Sequence, residues 1–439
     1  MAKISIFGLG YVGAVSVAAF ADMGHQVSGV DVNPTKVSII NSGRSPVIEK
    51  GLSELIGDGV ADGRVCATTD AREAVLGTEI SIICVGTPSR PNGDLDLTYI
   101  RRVSEQIGQA LAQKDTYHTV IARSTMLPGS TEEVVIPILE ESSGKVAGRD
   151  FGVCFNPEFL REGSSIDDFY EPPYTVIGGH DARATAVVQS LYEPVDPNPV
   201  VVPIKVAEMV KYTSNAFHAL KVVFANEIGN ICKQQEIDSH AVMDIFCRDT
   251  KLNISPAYLK PGFAFGGSCL PKDLRALRYQ SRRFDQYTPV LDAILPSNGN
   301  QIDLAFEMVQ RAPSKSVGVL GFSFKAGTDD LRESPIVELV ERLLGKGYTL
   351  KVYDRNVSLA NLQGANRAYI EQEIPHIASL MTTTPEEVLH HCDVLVIGNG
   401  AAEFREVLRH ARPEQTIIDL VRITKDVTQL NGEYQGICW

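Results

Sequence analysis

One cysteine of this chain stands where it could act as a nucleophile. The run Phe265-Gly266-Gly267-Ser268-Cys269-Leu270-Pro271-Lys272-Asp273 places Cys269 in a glycine-rich bend followed by a cation and a carboxylate. A thiolate attacks carbonyl carbon and leaves an acyl centre readily, and Lys272 or a neighbouring base could activate it. Near the start, Gly8-Leu9-Gly10-Tyr11-Val12-Gly13 follows an apolar strand and opens an apolar helix, and a second strand from Gln26 to Val30 ends at Asp31. That order is a dinucleotide-binding βαβ unit. Gly8 allows the tight turn, Gly10 lets backbone approach a pyrophosphate, Gly13 lets helix and strand pack closely, and Asp31 accepts from a ribose 2′-hydroxyl while repelling a 2′-phosphate. NAD is therefore favoured over NADP. Taking a hydride from an alcohol needs no thiol, so the two features together predict an oxidation that continues past the aldehyde, through a thioester, to an acid.

The elements that must hold these residues read as α/β. Further strands end at polar tips: Ile80 to Val85 before Thr87, Val120 to Arg123 before Thr125, and Phe151 to Phe155 before Glu158. Ligands bind at such carboxyl edges, although each tip taken singly could be a helix cap. Glu158 and Glu162 are four residues apart, as on one helical turn, where Arg161 or solvent could account for them. From about Pro203 to Ser297 strand patterns vanish. Val206 to Lys233 reads as one long helix on which Lys211, Asn215, His218 and Asn226 share an arc of about 80°. A third unit follows, with strands at 315–320, 350–353, 394–397 and 417–421, and it lacks the glycine fingerprint. There Asp354 could simply cap a turn. The expected organisation is an N-terminal Rossmann NAD-binding domain (1–202), a helical central domain with a long helix (203–300), suited to a dimer seam, and a C-terminal Rossmann-like α/β domain (301–439).

A formal net charge of −13 over 439 residues argues against nucleic acid or an anionic membrane as the main partner. The start runs straight into a strand, and no run reaches the ~18 apolar residues of a membrane helix. The eight cysteines form no CxxC pair, the pattern of thiols kept in a reducing cytoplasm, and the nine histidines show no HExxH spacing, so no metal site is expected.

The order GLGYVG, VGTP, RSTMLPG, NPEFLREG, AEMVKYTSNAFHALKVVFANEIGN, PGFAFGGSCLPKD and GFSFKAGTDDLRESP resembles the nucleotide-sugar 6-dehydrogenases over nearly the whole chain. Within that family it is most similar to the branch acting on GDP-mannose, with UDP-glucose and other UDP-hexoses as the alternative. The resemblance implies oxidation of the sugar C6 alcohol to a carboxylate with two NAD⁺, giving GDP-mannuronate for alginate-type polysaccharide. It makes Cys269 the nucleophile that forms a thiohemiacetal and then a thioester. Lys211 with Asn215 would bind or deprotonate the C6 oxygen, or stabilise a later oxyanion, and Glu158, Glu162 and Asp273 are the carboxylates available to position water. Substrate contacts would come from Glu162, Lys211, Asn215, His218, Asn226, Tyr258, Lys260, Phe263 and Gly266, and from Lys325 in the third domain, which the resemblance makes nucleotide-sugar-binding. Tyr11, Val12, Asp31, Lys36, Thr87, Thr125, Lys272 and Arg332 would lie on the NAD side, Thr125 also close to the chemistry. It further implies a homodimer or larger homo-oligomer. Two positions depart from the GDP-mannose branch, Ala257 where an aromatic residue is expected and Lys260 where arginine is. From a different class, the alternative is a nucleotide-binding regulator without turnover.

Overall fold

The computed structural model describes all residues except 235, 251–258, 284, 286–287, 358–376 and 378. They form two compact units, residues 1–214 with 275–284, and residues 215–274 with 285–439.

The first unit is built on an eight-stranded sheet. Its early part runs β1 (Lys3–Phe7), α1 (Tyr11–Asp22), β2 (Gln26–Val30), α2 (Pro34–Asn41), α3 (Leu52–Ala61), β3 (Val65–Thr68), α4 (Ala71–Leu76) and β4 (Ile80–Ile83). There follow α5 (Thr98–Leu111), β5 (Thr119–Ala122), a π-helical turn at 131–135 leading into α6 (Ile136–Ser143), β6 (Gly152–Phe155), α7 (Ser165–Tyr170), β7 (Val176–Gly179), α8 (Ala182–Tyr192) and β8 (Val200–Val202). The strand order is β3-β2-β1-β4-β5-β6-β7-β8, parallel except for the β6–β7 pair. Helices cover both faces, so the central strands are buried without alternation: Ile80–Ile83, Thr119–Ala122 and Gly152–Phe155 are buried at every residue. The helices show the complementary period. In α5 the buried positions Ile100, Ser104, Ile107 and Leu111 form one stripe against the sheet. After β3 the chain returns to lay β4 beside β1, which opens a crevice at the carboxyl ends of those two strands.

The long helix α9 (Ile204–Gln234) starts in the first unit and ends in the second, and α10 (Ser239–Phe246), α11 (Leu270–Arg283) and α12 (Pro289–Arg311) follow. No strand lies among the described residues of 203–297, and α12 continues through position 300. The second unit then adds β9 (Ser316–Leu320), α13 (Pro335–Gly345), β10 (Thr349–Tyr353), α14 (Pro385–His391), β11 (Val394–Ile397), α15 (Ala402–Leu408), β12 (Thr416–Asp419) and β13 (Glu433–Gly436). Its sheet, β10-β9-β11-β12-β13, is wholly parallel and again reverses direction beside its first strand, between β9 and β11. Helix α13 seats Ile336, Leu339, Val340 and Leu343 on it. Burying each such side chain contributes roughly 1.5–3 kcal/mol, which is what fixes these loop ends as rigid tips.

Candidate active site

At the carboxyl edge of the first sheet, Gly8 has φ 94° and donates its N–H to Val30 O at 2.7 Å. A Cβ at Gly13 would lie 1.8 Å from Gly8 O, so only glycine lets α1 come this close to the turn. The N-cap of α1 is Gly10, with no side-chain cap and no acid in the first turn. Its first-turn N–H groups and positive dipole end are thus left for an anion, and the cradle fits the pyrophosphate of a dinucleotide. Asp31 Oδ2 accepts from Leu9 N–H at 2.8 Å, its Oδ1 from Asn33 N–H at 2.9 Å, and Lys36 Nζ stands 3.5 Å away. Thr87 Oγ1 donates to Thr125 O at 2.8 Å, joining the tips after β4 and β5. Tyr11 lies at the start of α1, where its hydroxyl donates to Glu49 and accepts from Gly163 N–H at 2.9 Å. Glu49 also accepts from Gly163 N–H at 2.7 Å and Ser165 N–H at 3.1 Å, which ties the turn carrying Glu162 to the glycine loop. Glu49 belongs to none of the motifs, and no local signal marks it.

The tip after β6 departs from the sequence expectation. Residues 156–161 are irregular and Glu162 sits in a turn, so Glu158 and Glu162 do not share a helical turn. Glu158 Oε2 accepts from Leu160 N–H at 2.8 Å, a local bond that competes with helix formation. Its Oε1 lies 2.9 Å from Lys211 Nζ on α9, the two side chains being 10% and 7% exposed. The ammonium also stands 5.6 Å from the centre of the Phe159 ring. Burial opposes ionisation of Glu158, but Lys211, the Leu160 N–H and the Arg123 guanidinium outweigh it and hold the carboxyl below its ordinary value. Arg123, buried at the tip of β5, hydrogen-bonds Asn156 and the Tyr192 hydroxyl. One turn before Lys211, the fully buried Glu208 accepts from Gly129 N–H at 2.6 Å and from Thr131 N–H and Oγ1 at 2.9 and 2.7 Å. Burial pushes its carboxyl up in spite of these donors.

In the second unit Cys269 is exposed at the start of α11, where its carbonyl accepts from Asp273 N–H at 2.9 Å. The helix terminus favours negative charge on its sulfur. Most other thiols are buried, and burial pushes Cys84 and Cys154 up to about 12 and Cys438 to about 11. Asp273, 2% exposed on its side chain, accepts from Asn215 Nδ2 and stands 3.3 Å from Lys272 Nζ. Asn215, Cys269, Lys272 and Asp273 therefore gather at one helix terminus. Asn226, a buried residue of α9, bonds the backbone of Gly262 and Phe263. His218 is half-buried on the same helix, and Lys260 and Lys325 are exposed. Gly266 is packed so closely that a Cβ would lie 2.4 Å from Glu333 O. Arg332 makes a double contact with Asp330, at 2.9 and 2.7 Å. Asp354 caps the turn after β9: its Oδ2 accepts from Phe322 N–H, Ser323 N–H and Ser323 Oγ at 2.8–2.9 Å. Tyr258 and Ala257 lie outside the described residues. Among the described residues no group of His, Cys, Asp or Glu could hold a metal ion, and no helix is long and apolar enough to cross a membrane.

Three family profiles match successive stretches, each described as UDP-glucose/GDP-mannose dehydrogenase family: the NAD binding domain at residues 2–196, the central domain at 205–300 and the UDP binding domain at 318–426. The chain belongs to the UDP-glucose/GDP-mannose dehydrogenase family. Its N-terminal sheet is that family's NAD binding domain. Among similar members are the GDP-mannose 6-dehydrogenases of Pseudomonas putida and Pseudomonas aeruginosa, each 51% identical over 437 residues and 100% of both chains. A UDP-glucose dehydrogenase structure from Pyrobaculum islandicum has a TM-score of 0.90 at 34% identity, covering 100% of this chain and 98% of that one. A ternary complex of GDP-mannose dehydrogenase from Pseudomonas aeruginosa covers 100% of both chains at 51% identity, with a TM-score of 0.57.

Proposed function

We propose that this member of the family oxidises the C6 alcohol of GDP-mannose to the carboxylate of GDP-mannuronate, and so supplies an alginate-type polysaccharide. The observation that carries the chemistry is the exposed Cys269 thiol at a helix N-terminus beside Asn215, Lys272 and Asp273, in a chain that begins with an NAD binding domain. The choice of GDP-mannose is supported by full-length identity of 51% to GDP-mannose 6-dehydrogenases.

Bound NAD⁺ supplies a two-electron acceptor, and two are needed for each sugar. Lys211, held in place by Glu158, binds the C6 oxygen and takes or shields the charge that appears there. Asn215 supports the same oxygen. The Cys269 sulfur adds to the C6 aldehyde as a thiohemiacetal, which keeps the half-oxidised sugar on the protein. Loss of the second hydride equivalent leaves an acyl group on sulfur, and water cleaves it to restore the thiol. Overall one alcohol, one water and two NAD⁺ give one carboxylate, two NADH and three protons. Glu158, Glu162 and Asp273 are the carboxylates that could align that water. Thr125 lines the nicotinamide side of the chemistry, with Gly8, Gly10, Tyr11, Val12, Gly13, Asp31, Lys36, Thr87, Lys272 and Arg332 serving the cofactor. His218, Asn226, Tyr258, Lys260, Phe263, Gly266 and Lys325 serve the nucleotide sugar.

The working form we propose is a homodimer or larger assembly. Phe217 and Phe224 on α9 and Ile245 on α10 are 42%, 41% and 68% exposed, and a second copy of the chain would cover them. Its free thiols suit the cytoplasm. The test is the yield of NADH per molecule of GDP-mannose consumed. Two NADH with a uronate product supports the reading, whereas one NADH with free aldehyde as end product sinks it. UDP-glucose run in parallel tests the alternative favoured by the Pyrobaculum islandicum structure.

A further inference from the structure

The backbone that leads into Cys269 has no regular partner of its own. Residues 259–266 form neither helix nor strand, yet Phe265 is buried, so its N–H and C=O must be satisfied by something else. A single side chain does both. Phe265 N–H donates to Asn298 Oδ1 at 2.8 Å, and Asn298 Nδ2 donates back to Phe265 O at 2.8 Å. One turn further along α12, Gln301 Nε2 donates to Gly262 O at 2.6 Å and lies 3.2 Å from Cys438 Sγ. From the α9 side, Asn226 Oδ1 accepts from Gly262 N–H at 2.9 Å and Asn226 Nδ2 donates to Phe263 O at 3.3 Å. Asn298, Gln301 and Asn226 are 8%, 1% and 4% exposed. Directly after this grip, Gly266 is wedged against the Glu333 carbonyl, and Gly267, at φ 86°, lies under the Phe324 ring. The path from Gly262 to Gly267 is thereby determined, and Cys269 follows two residues later.

We propose that Asn298 and Gln301 are positioning residues for the thiol-bearing loop: their carboxamides hold Gly262 and Phe265 so that the Cys269 sulfur is presented at the N-terminus of α11. Neither side chain touches the reacting atoms, and the proposal rests on reading Cys269 as the nucleophile. A carboxamide suits the task because it offers a donor and an acceptor without charge, which Phe265 requires at once. Leucine at position 298 has similar bulk but neither function. Aspartate keeps the acceptor for Phe265 N–H and loses the donor for Phe265 O.

The experiment compares full-length Asn298→Leu, Asn298→Asp and Gln301→Leu with the parent. The measurements are kcat, KM for GDP-mannose and for NAD⁺, and the pH profile of iodoacetamide alkylation at Cys269, followed by mass mapping because Cys66 is also exposed. Misplacing a reacting group by about 1 Å costs on the order of 10²-fold, so Asn298→Leu should lose roughly ten- to a hundredfold in kcat. KM for NAD⁺ should stay unchanged, and the alkylation profile should move. Asn298→Asp, which keeps one of the two bonds, should fall between; if the leucine variants do not fold, it decides the matter alone. Parent-like turnover and alkylation in a folded Asn298→Asp or Asn298→Leu overturns the proposal. Acid production by Cys269→Ser would instead overturn the reading of the nucleophile, whatever the Asn298 variants do.

Discussion

Glu158 and Lys211 form an ion pair at 2.9 Å with both side chains nine-tenths or more buried, and they come from a strand tip and a helix 53 positions apart in the chain. Such a pair is a poor source of net stability but an effective way to keep an ammonium in a fixed place, because removing one partner strands the other. Glu158→Gln should therefore destabilise the fold by about 3–5 kcal/mol, read as a fall in thermal midpoint, and lower kcat by on the order of 10²-fold. Pairing it with Lys211→Met should recover much of the stability and none of the turnover. The folded-state pKa of Glu158 lies below its ordinary 4.5. The stability that the pair contributes is thus complete above pH 4.5 and fades as pH falls through the lower folded value. A double-mutant cycle at pH 7 checks the coupling.

Cys269→Ser should retain NAD binding and lose formation of the carboxylate. Serine in the same place is a weaker nucleophile and a poorer leaving group, so no acyl intermediate accumulates for water to cleave. Prior treatment of the parent protein with iodoacetamide should do the same, and saturating nucleotide sugar should slow that inactivation. Product analysis by mass spectrometry after long incubation checks both; carboxylate at the parent rate contradicts the assignment.

The buried strands were legible in the sequence because a parallel sheet covered on both faces leaves near-continuous apolar runs, unbroken in Val394–Ile397 and interrupted only by Ser81 in Ile80–Ile83. Strand β13, Glu433–Gly436, carries no such run and was not legible; it forms because the sheet edge beside β12 offers it backbone partners. Motif spacing singled out the close-packed glycine turn before α1 and the exposed Cys269, because each signal lies in residues next to one another. The carboxylates at 158 and 162 showed helical spacing without a helix, since the Glu158 side chain takes a nearby N–H that a helix would have used. Glu49, Glu208 and Asn298 escaped because their partners lie 33 to 116 residues away, and only folding brings such groups into range.

His118 predicts acid sensitivity. It is fully buried against Ser81 Oγ at 2.8 Å, and burial together with the Lys114 cation lowers its pKa from 6.5 to about 3. The folded protein keeps the ring neutral while the unfolded chain takes up a proton near 6.5. Stability is then full above pH 6.5 and falls by about 1.4 kcal/mol per pH unit below it, toward the folded value. Urea midpoints at pH 7.5 and 5.5 should differ accordingly, and His118→Asn, though weaker at both, should show a smaller difference. Equal losses in the two proteins would assign the acid limb to other groups.

Gly13→Ala separates cofactor binding from thiol chemistry. The new methyl would have to sit 1.8 Å from Gly8 O, and that atom is backbone, so α1 must move away from the turn proposed to cradle the diphosphate. NAD⁺ affinity should fall by about tenfold or more, equivalent to at least ~1.4 kcal/mol. Cys269 belongs to the other compact unit, so its alkylation rate in the absence of NAD should not change. Isothermal titration with NAD⁺ and timed alkylation on the same preparation measure the two halves. An unchanged affinity would mean that the cradle is not where the diphosphate is held.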